Sequence, residues 1–154
     1  MRKLLLPLAV SICLVFSSCT VAHFSYMRNL TDKSVDIYFD FDASALGKIP
    51  DSIFIPYSPT SHSINKNARN FMTDSIVAKR YTGTTLHIEL PTGGMIMFDK
   101  VTSKKIGYHD PEKIKVVVPG KEHVTVRLYG DPLPGEAKFQ TKGNSPKIYW
   151  HDIY

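Results

Sequence analysis

The chain reads as all-β, a single antiparallel β-sandwich of about eight strands. Three observations carry that expectation. Apolar and polar residues alternate with period 2 in several runs, glycine- and proline-bearing turn sequences separate the runs, and no segment sustains the 3.6-residue period of an amphipathic helix.

Residues 1–18 stand apart from this pattern. Arg2 and Lys3 precede an apolar run from Leu4 to Phe16, which gives way to Ser17-Ser18-Cys19-Thr20, the three-part layout of a signal peptide. A helix needs about 20 apolar residues to cross ~30 Å of hydrocarbon. The run is shorter than that and contains Pro7, so it is expected to be removed rather than kept as a span. Phe16-Ser17-Ser18-Cys19 resembles the lipobox of bacterial lipoproteins, with Phe16 where leucine is usual. The resemblance implies that Cys19 takes a lipid and becomes the mature N-terminus. Cleavage after Ala22, which would release a soluble secreted protein, is the alternative. The expected organisation is a signal peptide at 1–18, a lipidated N-terminus and short tether at 19–25, and a β domain at 26–154.

The strands follow in order. Extended runs are predicted at Ala22–Arg28, Ser52–Tyr57 and Ser75–Tyr81. The clearest alternation is at Val35, Ile37, Phe39 and Phe41, with Asp36, Tyr38, Asp40 and Asp42 on the opposite face. Leu86, Ile88 and Leu90 repeat it, as do Ile114, Val116 and Val118, then Val124, Val126 and Leu128. Pro91-Thr92-Gly93-Gly94 is expected to fold the strand ending at Leu90 back onto Met95–Phe98 as a hairpin, and Pro119-Gly120 to join the next two strands. A loop at Gly130–Gly135 and a turn at Gly143–Pro146 precede a closing strand, Lys147–Ile153. Ser63–Met72 is the one candidate helical turn, with Ile64, Ala68 and Phe71 on one side and Ser63 as cap.

Composition narrows the function classes. The only cysteines are Cys13, which leaves with the signal peptide, and Cys19. The domain therefore has no disulfide and must rest on its core. Loss of Arg2 and Lys3 lowers the formal charge from +5 to +3, a mild excess that, with export, argues against a nucleic-acid partner and suits solubility or weak attraction to anionic lipid.

Residues that could carry chemistry are scattered. His23, His62, His87, His109, His123 and His151 show no paired ligand spacing, so no metal site is assigned. Asp36, Asp40 and Asp42 lie along one strand face without a calcium loop, which favours a solvated acidic face. Nucleophile elbows, zinc-protease helices and phosphate-binding glycine loops are missing, so no catalytic residue and no cofactor is assigned. Lys100, Lys104, Lys105, Lys113, Lys115 and Lys121 concentrate positive charge. Asp51-Ser52-Ile53 and Asp74-Ser75-Ile76 resemble the Asp-Ser/Thr-apolar motif that some Gram-negative gut anaerobes O-glycosylate, which makes Ser52 and Ser75 glycosylation candidates. Asn29-Leu30-Thr31 fits the eukaryotic N-glycosylation pattern, which a bacterial lipoprotein would not ordinarily use. The aromatic C-terminal strand offers Tyr149, Trp150 and Tyr154 as a possible stacking surface beside its core face.

The whole resembles the small lipoproteins of Gram-negative envelopes, with an immunoglobulin-like or transthyretin-like sandwich behind a lipid anchor. Thr20-Val21-Ala22-His23 lacks the acidic run associated with export to the cell surface in some bacteria, so a periplasm-facing position on the outer membrane is expected over the cell surface. The resemblance assigns no activity. Three readings follow: a non-enzymatic binding or assembly module with an envelope protein or glycan partner, an envelope enzyme acting on glycan or peptide, and a structural subunit of an envelope complex.

Overall fold

Among the described residues, eleven strands make one mixed sheet in the order β10-β11-β1-β6-β3-β4-β5-β2-β7-β8-β9. They are β1 (His23–Asn29), β2 (Val35–Asp40), β3 (Ser52–Ser58), β4 (Asp74–Thr82), β5 (Thr85–Leu90), β6 (Met95–Asp99), β7 (Lys113–Val117), β8 (Val124–Arg127), β9 (Glu136–Lys138), β10 (Gln140–Lys142) and β11 (Lys147–Ile153). The computed structural model describes residues 23–65, 67–99, 111, 113–128, 132–143 and 147–154. The expected signal peptide, Cys19, Lys100, Lys104, Lys105, His109 and parts of the two late turns lie outside these residues.

The two edge strands, β9 and β10, are separated in sequence only by Phe139. The stretch 136–142 bonds β8 with its first half and β11 with its second. The sheet thus curls until its edges almost meet, and the architecture is nearly a barrel. This corrects the expected eight-stranded antiparallel sandwich, immunoglobulin-like or transthyretin-like. Alternation reports that each strand has one buried face, and a barrel interior satisfies that as well as two facing sheets do. Two pairings, β1 with β11 and β8 with β9, are also parallel.

A second correction concerns the hairpins. β7 and β8 pair across the Pro119-Gly120 turn, and β4 and β5 across Gly83, whose φ is 45°. β5 and β6 do not pair: β5 lies between β2 and β4, β6 between β1 and β3. The Pro91–Gly94 turn instead carries the chain across the barrel mouth. Asn29, fully buried, holds it there, with its side-chain amide donating to Leu90 O and Pro91 O and its backbone N–H to Gly94 O.

The predicted alternation is borne out in β2, where Val35, Ile37, Phe39 and the following Phe41 are at most 4% exposed. Leu86, Ile88, Leu90, Ile114, Val116 and Val126 complete the same inner wall. The link from β2 to β3 closes one end of it. A 3-10 turn at Ala43–Ala45, with the Asp42 side chain accepting from Ser44 N–H, carries Ala45 and Ile49 into the core as a plug. Arg80 latches this plug by donating to Ile49 O and pairing with Asp51 at 3.2 Å.

Three neighbouring strands are buried on both faces. The outward residues Tyr26, Met95, Met97 and Ile148 form a separate apolar cluster with Phe24 and Trp150. Ile64, Ala68 and Met72 of the β3–β4 link lie over it. The helical turn expected at Ser63–Met72 is a 3-10 turn, Ala68–Phe71, with no side-chain cap; Ala68 is buried and Phe71 is 38% exposed. Arg28 fixes this cover, gripping Asp152 through two 2.7 Å bonds and donating to His62 O at 3.0 Å.

Candidate functional site

The outward face of β4, β5, β2 and β7 carries side chains of a different kind. Strand parity puts Asp36, Tyr38 and Asp40 outward on β2, because their neighbours fill the core. Register then sets His87 beside Tyr38 on one flank, Lys115 on the other, and Thr85 beside Asp40. On β4 the pairing slips between Arg80 and Thr82, a β-bulge that places Tyr81 as the extra residue. Bulges bend a strand and re-aim its side chains. Here the ring of Tyr81 meets that of Tyr38 edge-on, with centroids 5.1 Å apart.

The result is a groove of about 270 Å³ lined by Tyr38, Asp40, Tyr81, Thr82, Thr85, Lys115 and Val117. That is near the lower end of small-molecule sites, which run roughly 300–1,000 Å³. Tyr81 is 63% exposed, so one aromatic face is open to a ligand. Asp40 accepts from Thr85 Oγ1 at 2.7 Å, leaving carboxylate lone pairs for a second donor. Behind the tyrosines, His87 Nε2 and Asp36 Oδ1 are 2.7 Å apart, and the imidazole lies 4.7 Å from the Tyr38 ring. Burial first, then the Asp36 charge and Tyr81, push the Tyr38 phenol above its ordinary value, so it stays a hydroxyl donor at neutral pH. The arrangement supplies an aromatic platform, one carboxylate, one ammonium and two threonine hydroxyls. No serine or cysteine bonds to His87 among the described residues.

The sequence candidates fall elsewhere. Ser52 and Ser75 are both exposed on the outer face of the β3–β4 pair, near its opposite ends, within reach of a modifying enzyme. Tyr149, Trp150 and Tyr154 do not share a face: Tyr149 points into the barrel, Trp150 packs on the outer apolar cluster, and Tyr154 is 70% exposed. The three aspartates are engaged one by one, Asp36 with His87, Asp40 with Thr85 and Asp42 with Ser44 N–H. No group of three or more metal-ligating side chains gathers among the described residues. Asn29 has its amide nitrogen committed to three carbonyls. Tyr38 is legible in part, since an aromatic side chain amid aspartates on the wet face of a strand is out of place there. The bulge that brings Tyr81 onto it has no sequence signature.

Among the described residues no helix is long and apolar enough to cross a membrane. Comparison of the chain with protein-family profiles, with curated proteins and with solved structures gave no match.

Proposed function

We propose that this protein is a non-enzymatic binding module of the bacterial envelope, held to the outer membrane through lipid on Cys19, and that its groove takes a saccharide. The observation that carries the reading is the Tyr38–Tyr81 pair set among Asp40, Thr85 and Lys115. Sugar rings present C–H faces that pack on aromatic rings and hydroxyls that bond carboxylates and hydroxyls, and this groove places both kinds of partner within one small space. The edge strands β9 and β10 are three residues each, so partner addition along a sheet edge has little backbone to bond.

The test is calorimetric titration of the lipidated protein with envelope glycans, such as peptidoglycan fragments and lipopolysaccharide core oligosaccharides. Tyr81→Ala should weaken binding by about tenfold or more, equivalent to ~1.4 kcal/mol. As Tyr81 is largely exposed, the fold should stay within ~0.5 kcal/mol of the parent. Undiminished binding by Tyr81→Ala would remove the groove from the account.

A further inference from the structure

The strand directions place one end of the barrel beside the proposed lipid. β1 starts at His23, and its antiparallel neighbour β6 ends there at Asp99. β3, antiparallel to β6, therefore begins at that end with Ser52, and β2 finishes there with Asp40, since it follows the register of β5 against β4. The plug that joins β2 to β3 must lie at the same end. From Cys19 to His23 the chain spans at most ~13 Å at ~3.3 Å per residue, whereas a seven-residue strand is ~23 Å long. The far end of an upright barrel cannot touch the bilayer on so short a tether.

The near end has the chemistry of a surface meant for lipid. Ala45 and Ile49 of the plug point inward and are buried, yet Leu46 between them is 66% exposed. Lys48 follows it in the same turn, Lys113 begins β7 there and Lys142 ends β10 there. Of the described carboxylates at this end, Asp51 pairs with Arg80, while Asp42 and Asp40 accept from Ser44 N–H and Thr85 Oγ1 and keep their charge. An apolar tip on an end that also carries these lysines suits an anionic bilayer interface, where an apolar side chain can enter the headgroup boundary and nearby lysines are attracted to anionic lipid.

We infer that this end is the membrane-facing surface, with Leu46 entering the interface of an anionic bilayer, so that the barrel stands upright and the groove opens sideways. The inference rests on lipidation of Cys19. The sequence makes the experiment clean, because once Cys13 is removed and Cys19 acylated no other thiol remains. The mature lipidated protein, carrying an environment-sensitive probe on Lys48→Cys, Asp32→Cys or Lys79→Cys, is floated with phosphatidylcholine–phosphatidylglycerol vesicles containing a spin-labelled lipid. These positions sample the near end, the far end and the flank.

Quenching should be strongest at position 48, and Leu46→Glu should lower it there by about twofold or more while leaving positions 32 and 79 unchanged. Equal quenching at all three positions, or stronger quenching at 32 or 79, overturns the orientation while leaving the anchor intact. No response to Leu46→Glu removes Leu46 from the contact. Failure to float, with an intact mass lacking lipid, overturns the anchor and the orientation together.

Discussion

His151 shows how one side chain couples this core to pH. It lies on the inward side of β11 between Tyr149 and Ile153, with its ring 5.9 Å from that of Phe139. Burial pulls its imidazole below the ordinary 6.5, against weaker opposing effects from Asp152 and the Lys138 backbone. The folded protein therefore binds this proton less readily than the unfolded chain does. The linked stability is fully present above pH 6.5 and is lost as pH falls from there through the lower folded value. The urea midpoint should accordingly fall between pH 7.5 and pH 5.5, and His151→Gln should flatten that slope. An unchanged slope in the variant would place the sensitivity on other groups. The contrast with Asn29 is instructive, because a buried polar group with every bond made carries no such dependence. In the sequence His151 is one of six histidines without a ligand pattern. Its inward direction follows from strand parity, but its burial depends on the arrival of Phe139 from the junction of β9 and β10.

The double-sided strands β1, β6 and β11 depend on their cover, and the cover depends on a bidentate ion pair. Arg28 and Asp152 are register partners on parallel strands, with side-chain exposures of 18% and 7%, and Arg28 also reaches His62 O in the link above. Hydrogen bonds to charged groups are worth about 1.5–3 kcal/mol. Arg28→Ala should therefore lower stability by about that amount and expose the 59–73 link to limited proteolysis well below the unfolding midpoint. Proteolysis at the parent rate would mean that the apolar contacts of Ile64, Ala68 and Met72 hold the link unaided. At this scale the sequence was informative where one face is wet: β2, β5 and β7 alternate cleanly, and β11 has the predicted bounds. It was less so where both faces are covered, since Met95-Ile96-Met97-Phe98 and Ile148-Tyr149-Trp150 are continuous apolar runs with no period to read. The short β9 and β10 have little intrinsic strand preference and exist by pairing with β8 and β11.

At the scale of the molecule, the feature least legible in the sequence is the one that closes it. Each local run could be recognised as a strand, but no local signal says that the last strand lies parallel to the first. β11 pairs with β1 over seven register positions, from His23 with Lys147 to Asn29 with Ile153, and with β10 on its other side. It sends Tyr149 and Ile153 into the barrel and Ile148 and Trp150 onto the outer cluster, so it belongs to both cores at once. Without it, β1 and β10 would present unpaired edges and two apolar clusters would lose a wall. A chain ending at Gly143 should therefore show no cooperative urea transition and should bind a hydrophobic dye, although it retains the other ten strands in sequence. The same pairing joins residues more than a hundred positions apart, a loop-closure cost that is met only once both ends of the chain are available. Refolding of the intact protein should then be slow, and amides of β1 and β11 should gain exchange protection together in a pulse-labelling experiment. Protection of β1 well ahead of β11 would mean that β6 alone anchors the first strand and that closure is a late addition to a barrel already formed.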